Sequence, residues 1–210
     1  MSQLTFNKKG EKGIKEYYEW VNIWCEDANN EKLPRVALVG DSITQCSFPA
    51  VKNELKEIAC VDYFATSYSI TSKTYKAMVK NFLNDSKYDV VYFNYGLHGY
   101  YVTDKEYEKK YREMIDIISK KSKVIIGLTT TVEEESQINE GNVFWTPVVN
   151  ARKRIAKKIG QDLGIVVDDL HSISSSLGWD GKLPDGVHFN DNGNDKIGKS
   201  KAAAIIKLLR

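Results

Sequence analysis

Two short motifs at opposite ends of the sequence could together do chemistry. Gly40-Asp41-Ser42 follows the apolar run Val36–Val39, and Asp185-Gly186-Val187-His188 precedes the last helical pattern of the chain. A serine hydroxyl is a poor nucleophile until a neighbouring histidine takes its proton, and that histidine needs an acceptor on its other ring nitrogen. Asp185, three residues before His188, can supply that acceptor within one tight turn. The chain contains three histidines, so one that arrives with its own carboxylate is informative. Ser42 is then the candidate nucleophile, His188 its base and Asp185 the orienting acid. The competing reading of Ser42 is a helix N-cap, a common use of serine. Gly40 is expected to permit the tight turn before it. The Gly-x-Ser-x-Gly elbow is excluded, because Thr44 stands where that motif has glycine.

These residues need elements that bring them together. Five short, mostly β-branched runs (Val36–Val39, Cys60–Phe64, Val90–Phe93, Val124–Leu128 and Ile165–Val167) have the length and composition of buried strands. Helical patterns separate them, carried by Val51, Leu55 and Ile58, by Tyr75, Val79 and Phe82, by Tyr107, Tyr111, Met114 and Ile118, and by Val148, Arg152, Ile155, Ala156 and Ile159. A last helix runs from about Asp195 to Leu209. Alternating strands and helices predict right-handed βαβ units in a three-layer α/β domain, with a five-stranded parallel sheet covered by helices on both faces. Ile14, Tyr17, Val21 and Trp24 predict a further amphipathic helix over 11–29, leading into a connector to residue 33. Residues 1–210 read as one domain without repeats. In such sheets ligands bind at the carboxyl ends of the strands, which is where Ser42 falls.

Composition narrows the function classes. Thirty basic and 28 acidic residues, interleaved, give a net charge of +2, which offers no electrostatic footprint for nucleic acid or for a membrane surface. No stretch approaches the ~20 apolar residues of a membrane span, so a soluble, cytoplasmic protein is expected; a removed export signal would leave no trace. Cys25, Cys46 and Cys60 lack metal or disulfide spacing. Cys25 and Cys60 are expected in the core, and Cys46, four residues after Ser42, could line the site. No metal or other cofactor is expected.

Gly40-Asp41-Ser42 after the first strand, with Asp185-Gly186-Val187-His188 before the last helix, resembles the SGNH (GDSL-type) hydrolases. The resemblance runs from about Val36 to the carboxyl terminus. It implies a flavodoxin-like fold, ester hydrolysis or acyl transfer without a cofactor, and the same three roles for Ser42, His188 and Asp185. The middle motifs depart from the family pattern. Where the family has Gly-x-Asn-Asp, this chain has Asn94-Tyr95-Gly96-Leu97-His98-Gly99, a branch with an Asn-x-Gly-Leu-His block. His98 stands in place of the oxyanion-binding asparagine, with Asn94 as rival donor. A substrate contact or a structural hydrogen bond at the strand end are the other readings of His98. The family's second block supplies a glycine N–H; here Phe64-Ala65-Thr66-Ser67-Tyr68-Ser69 has no glycine, leaving Ser67 or Tyr68 to provide it.

The remaining features are weaker. Thr129-Thr130-Thr131 should border the pocket, and a long loop from Glu133-Glu134-Glu135 to about Trp145 has the length of a lid. Trp145, Tyr95, Tyr100 and Tyr101 could form a platform for a sugar ring, whereas His171 reads as a helix-start residue. The expected function is hydrolysis of a carboxylic ester, in a small molecule or an O-acetylated glycan, through an acyl-enzyme on Ser42. Alternatives are an O-acyltransferase on a sugar hydroxyl and a non-catalytic carbohydrate-binding protein that kept the fold.

Overall fold

Each of the five apolar runs forms a parallel strand, and alternation along the strands sends side chains into two separate cores. The computed structural model describes residues 15, 16, 18–133 and 145–210. Ile14 and Tyr17 of the expected first helix, and the expected loop beyond Glu133, lie outside them. The elements are β1 (Val21–Trp24), β2 (Arg35–Gly40), α1 (Ser42–Glu54), β3 (Cys60–Thr66), α2 (Lys73–Asp85), β4 (Val90–Asn94), α3 (Asp104–Ser119), β5 (Lys123–Gly127), α4 (Trp145–Leu163), β6 (Val166–Asp168), α5 (Leu170–Leu177) and α6 (Asp191–Leu209).

The sheet order is β1-β3-β2-β4-β5-β6, with β2, β3, β4, β5 and β6 parallel to one another. The parallel part is the flavodoxin-like order, whose direction of growth reverses between β2 and β4. Ligand chemistry belongs at that crevice. On one face Val36, Leu38, Tyr63 and Tyr92 pack with Phe48, Val51, Ile197 and Ile205 of α1 and α6. On the other face Val39, Phe64, Phe93 and Ile126 pack with Tyr75, Tyr107, Met114 and Ile159 of α2, α3 and α4.

The sixth strand is a correction to the expected helix over 11–29. Val21–Trp24 pair antiparallel with β3, from Val21 opposite Thr66 to Trp24 opposite Tyr63. The described residues of the expected helical stripe are not core: Val21 and Trp24 are 40% and 51% exposed. Pairing with the free edge of β3, some 40 residues away in sequence, satisfies the backbone of this segment and overrides its helical spacing. Cys25, expected in the core, is exposed at the end of this strand, while Cys60 is buried. Among the described residues no helix is long and apolar enough to cross a membrane.

Candidate active site

The two motifs meet at the carboxyl ends of the strands. Asp41, between β2 and α1, is the N-cap of α1: its Oδ1 accepts the Ile43 N–H at 3.0 Å. With Asp41 as cap, the Ser42 hydroxyl is not consumed by the helix. Gly40 is needed for space rather than for an unusual turn. A Cβ there would meet Thr44 Oγ1 at 2.2 Å and the Asn94 carbonyl oxygen at 2.6 Å. The end of β4 thus lies directly against the nucleophile turn.

His188 reaches this turn from the segment before α6. Gly186 takes a φ of 68°, which favours glycine. The reversal lets Asp185 Oδ1 accept two backbone N–H groups, from Val187 at 2.9 Å and His188 at 2.8 Å. Its Oδ2 accepts from His188 Nδ1 at 2.6 Å, and Ser42 Oγ donates to His188 Nε2 at 2.8 Å. A carboxylate can only accept, so the proton sits on Nδ1 and Nε2 is free to take the serine's proton. Burial works to raise the Asp185 pKa, but the hydrogen bonds from the His188 ring, His188 N–H and Val187 N–H outweigh it and hold the carboxyl below its ordinary range. A hydroxyl, a base and a fixed carboxylate in series can activate a nucleophile without further components.

The turn is tied down by Lys182. Its buried ammonium donates to the Thr131 carbonyl at 2.6 Å and lies 4.3 Å from the Phe189 ring centroid. The Glu133 N–H adds a bond to the Gly186 carbonyl at 2.8 Å. These contacts join the Asp185–His188 turn to the chain leaving β5.

The other expected site residues divide. Asn94 emerges at the end of β4, but its amide nitrogen donates to the Gly127 and Leu128 carbonyls, both at 3.1 Å. It bridges strands and has no amide hydrogen left for an oxyanion. The Ser67 N–H goes to the Trp20 carbonyl at 3.3 Å, and its hydroxyl to Glu19 at 2.8 Å. The Tyr68 N–H goes to Thr66 Oγ1 at 3.2 Å. The residues leading into the added edge strand therefore occupy Ser67, and Thr66 at the end of β3 occupies the Tyr68 N–H. Gly96 lies against Thr129, where a Cβ would come within 2.4 Å of that side chain. His98 follows it, with Nδ1 facing Glu16 at 2.9 Å.

Of the aromatic residues, Tyr95 is buried, and its hydroxyl donates to the Tyr68 carbonyl at 2.5 Å, so it is not a platform. Tyr100 and Tyr101 are half-buried, and Trp145 begins α4. Cys46 is exposed on α1, one turn from Ser42. Thr129 and Thr130 are buried after β5, and His171, near the start of α5, donates from Nδ1 to the Thr129 carbonyl at 3.1 Å. Among the described residues no cluster of His, Cys, Asp and Glu has the arrangement of a metal site.

Sequence reasoning missed three charged residues around this site. Arg152 and Lys201 each stand on the inward stripe of a predicted helix, a charge in an apolar pattern, which was the available signal. Glu16 gave none. Lys201, fully buried on α6, donates to Ser47 Oγ at 2.9 Å and Thr44 Oγ1 at 3.4 Å, linking the helix after His188 to the helix that begins with Ser42. Burial lowers its pKa from 10.5 to about 8. A lysine with a folded pKa below its unfolded value disfavours folding below about 8, and this cost fades as pH rises toward 10.5. The cost is on the order of 3 kcal/mol. Lys201→Met is therefore expected to raise Tm at pH 7 by several degrees and to lose that advantage at pH 10. Thermal melts at the two pH values check it, and an equal or lower Tm at pH 7 contradicts it.

No family model and no curated protein matches the sequence. Solved structures do match it in shape. Axe2, an acetylxylan esterase from Geobacillus stearothermophilus, superposes with a TM-score of 0.62 at 16% identity, over 84% of this chain and 94% of that one. A lipase/acylhydrolase from Enterococcus faecalis gives 0.64 at 18% identity, over 82% and 95%. A protein of Slackia heliotrinireducens assigned to the SGNH hydrolases gives 0.67 at 14% identity, over 83% and 100%. At these identities the likeness is one of architecture: the chain has the SGNH hydrolase fold.

Proposed function

We propose that the chain is a serine ester hydrolase that forms an acyl-enzyme on Ser42. The observation that carries this reading is the unbroken series Asp185–His188–Ser42, in which Asp185 lies 2.6 Å from His188 and His188 lies 2.8 Å from Ser42, 146 positions away in sequence. His188 Nε2 takes the Ser42 proton as Oγ attacks the ester carbonyl, giving a tetrahedral oxyanion. The carbon–oxygen bond to the alcohol then breaks, and the imidazolium returns the proton to the departing alkoxide. Water, deprotonated by the same nitrogen, attacks the acyl-enzyme; the bond to Oγ breaks, the imidazolium returns the proton to Oγ, and the acid leaves. The oxyanion forms at the amino terminus of α1, where the helix dipole favours negative charge.

The expected substrate is a short acyl ester, an O-acetylated carbohydrate in particular. The fold is shared with an acetylxylan esterase and an acylhydrolase, which favours ester cleavage over a purely binding role. The test is release of acetate from 4-nitrophenyl acetate and from acetylated xylo-oligosaccharides after dialysis against EDTA. Turnover is expected to be indifferent to the chelator, because the nucleophile is generated from serine alone. Lack of turnover with every short acyl ester, or activity restored by a divalent metal, contradicts the proposal.

A further inference from the structure

The turn after β4 is gripped from two sides. Arg152, buried on α4, donates to the carbonyl oxygens of Gly96 at 2.9 Å, His98 at 2.6 Å and Gly99 at 2.5 Å. The carbonyl of one residue and the N–H of the next point in opposite directions across a planar trans peptide. With the His98 carbonyl turned to Arg152, the Gly99 N–H faces away, and there Glu16 Oε1 accepts it at 3.0 Å. The same carboxylate holds the His98 ring, with Nδ1 2.9 and 3.1 Å from its two oxygens. Nδ1 therefore carries a hydrogen. Nε2 is buried and meets no hydrogen-bond partner among the described residues.

His98 lies on the turn after β4, and the last residue of β4, Asn94, sets its carbonyl oxygen 2.6 Å from where a Gly40 Cβ would stand, beside Asp41, the buried cap that immediately precedes Ser42. An ionised carboxylate at that position opposes the negative charge that must develop on the substrate at Ser42. A neutral histidine would do nothing to offset it; an imidazolium would.

We infer that Glu16 is a positioning residue that keeps His98 as an imidazolium, and that this buried cation offsets Asp41 and so favours the oxyanion at Ser42. The inference rests on the serine-hydrolase reading above. The charged and titratable groups around the ring are Glu16 and Glu19 from the segment before β1, Asp41 from the turn before α1, and Arg152 from α4 through the main chain. Burial pushes His98 toward the neutral form. The hydrogen bond and charge of Glu16, joined by Asp41 and Glu19, outweigh it, so the ring stays protonated above the ordinary histidine range. On its other flanks Asp41 is faced by Lys201 and His188. Burial also raises the Asp41 pKa, and His98 is the charge that opposes this most.

The experiment is the pH profile of kcat for E16Q and E16D beside wild type, with fluorophosphonate labelling of Ser42 measured in all three. Wild type should lose kcat at high pH as His98 deprotonates. E16Q keeps a hydrogen-bond acceptor but not the charge. Its alkaline limb should move to lower pH, lowering kcat about tenfold on that limb with KM within about twofold. E16D keeps the charge and should restore most of the wild-type limb. An unmoved limb in E16Q, including an equal loss of kcat at every pH, overturns the inference: it would mean that Glu16 is only structural or that Lys201 alone sets the limb. Absence of label on wild-type Ser42 overturns the underlying serine-hydrolase reading instead.

Discussion

Ser42→Ala should abolish turnover of short acyl esters, with a loss approaching the ~10⁶-fold found when a triad nucleophile is removed. The fold should be unaffected. Asp41, not Ser42, caps α1, so the substitution removes one hydroxyl whose only described hydrogen bond is to His188. Both circular dichroism and Tm should match wild type. A variant that keeps more than about a tenth of wild-type kcat would require another nucleophile. Exposed Cys46, one turn along α1, would be the first to examine.

The second large effect separates the base from its orienting acid. His188→Ala removes the proton acceptor and should cost nearly as much as the loss of Ser42, because residues acting as a unit are not additive. Asp185→Asn should cost about 10⁴-fold, the price of a wrong histidine tautomer. The geometry gives the reason. Asp185 Oδ1 accepts the Val187 and His188 N–H groups, and an asparagine oxygen can keep both bonds. Its NH₂ must then take the place of Oδ2 and donate to Nδ1. That forces the proton onto Nε2, where it blocks acceptance from Ser42. Measured kcat for the two variants decides the matter. If Asp185→Asn is as active as wild type, His188 is oriented by some other group and the working unit is a dyad.

Hydrogen bonds from the His188 ring, the His188 N–H and the Val187 N–H hold the Asp185 carboxyl below the usual carboxylate range, against its burial, and so keep it in the ionised form that orients the ring.

The meeting of Ser42, His188 and Asp185 was legible because residue type and position relative to strands and helices carried the argument. Gly40-Asp41-Ser42 sits where a strand must turn into a helix, and Asp185 lies close enough to His188 to bond it within one turn. The five parallel strands were legible for a similar local reason, since buried strands are continuously apolar. What the sequence hid was non-local. Whether Asn94 could donate to an oxyanion depended on the β5 carbonyls at Gly127 and Leu128. The fate of Ser67 turned on Glu19 and Trp20, which lead into β1, whose pairing with β3 overrode helical spacing. Arg152 and Lys201 broke apolar stripes and could be flagged, but their partners, three carbonyls in one case and two hydroxyls in the other, belong to distant segments. Glu16 lies in the stretch read as a helix but off its apolar stripe, so its contact with His98 could only come from the folded chain.

The central claim is that Ser42 is a nucleophile activated by His188, and covalent labelling tests it most directly. Wild-type protein and the Ser42→Ala and His188→Ala variants are exposed to a fluorophosphonate probe, digested and mapped by peptide mass spectrometry. The account predicts one adduct per wild-type chain, on the peptide carrying Ser42, with no adduct in Ser42→Ala and strongly slowed labelling in His188→Ala. An unlabelled wild-type Ser42, or equal labelling rates with and without His188, would contradict it.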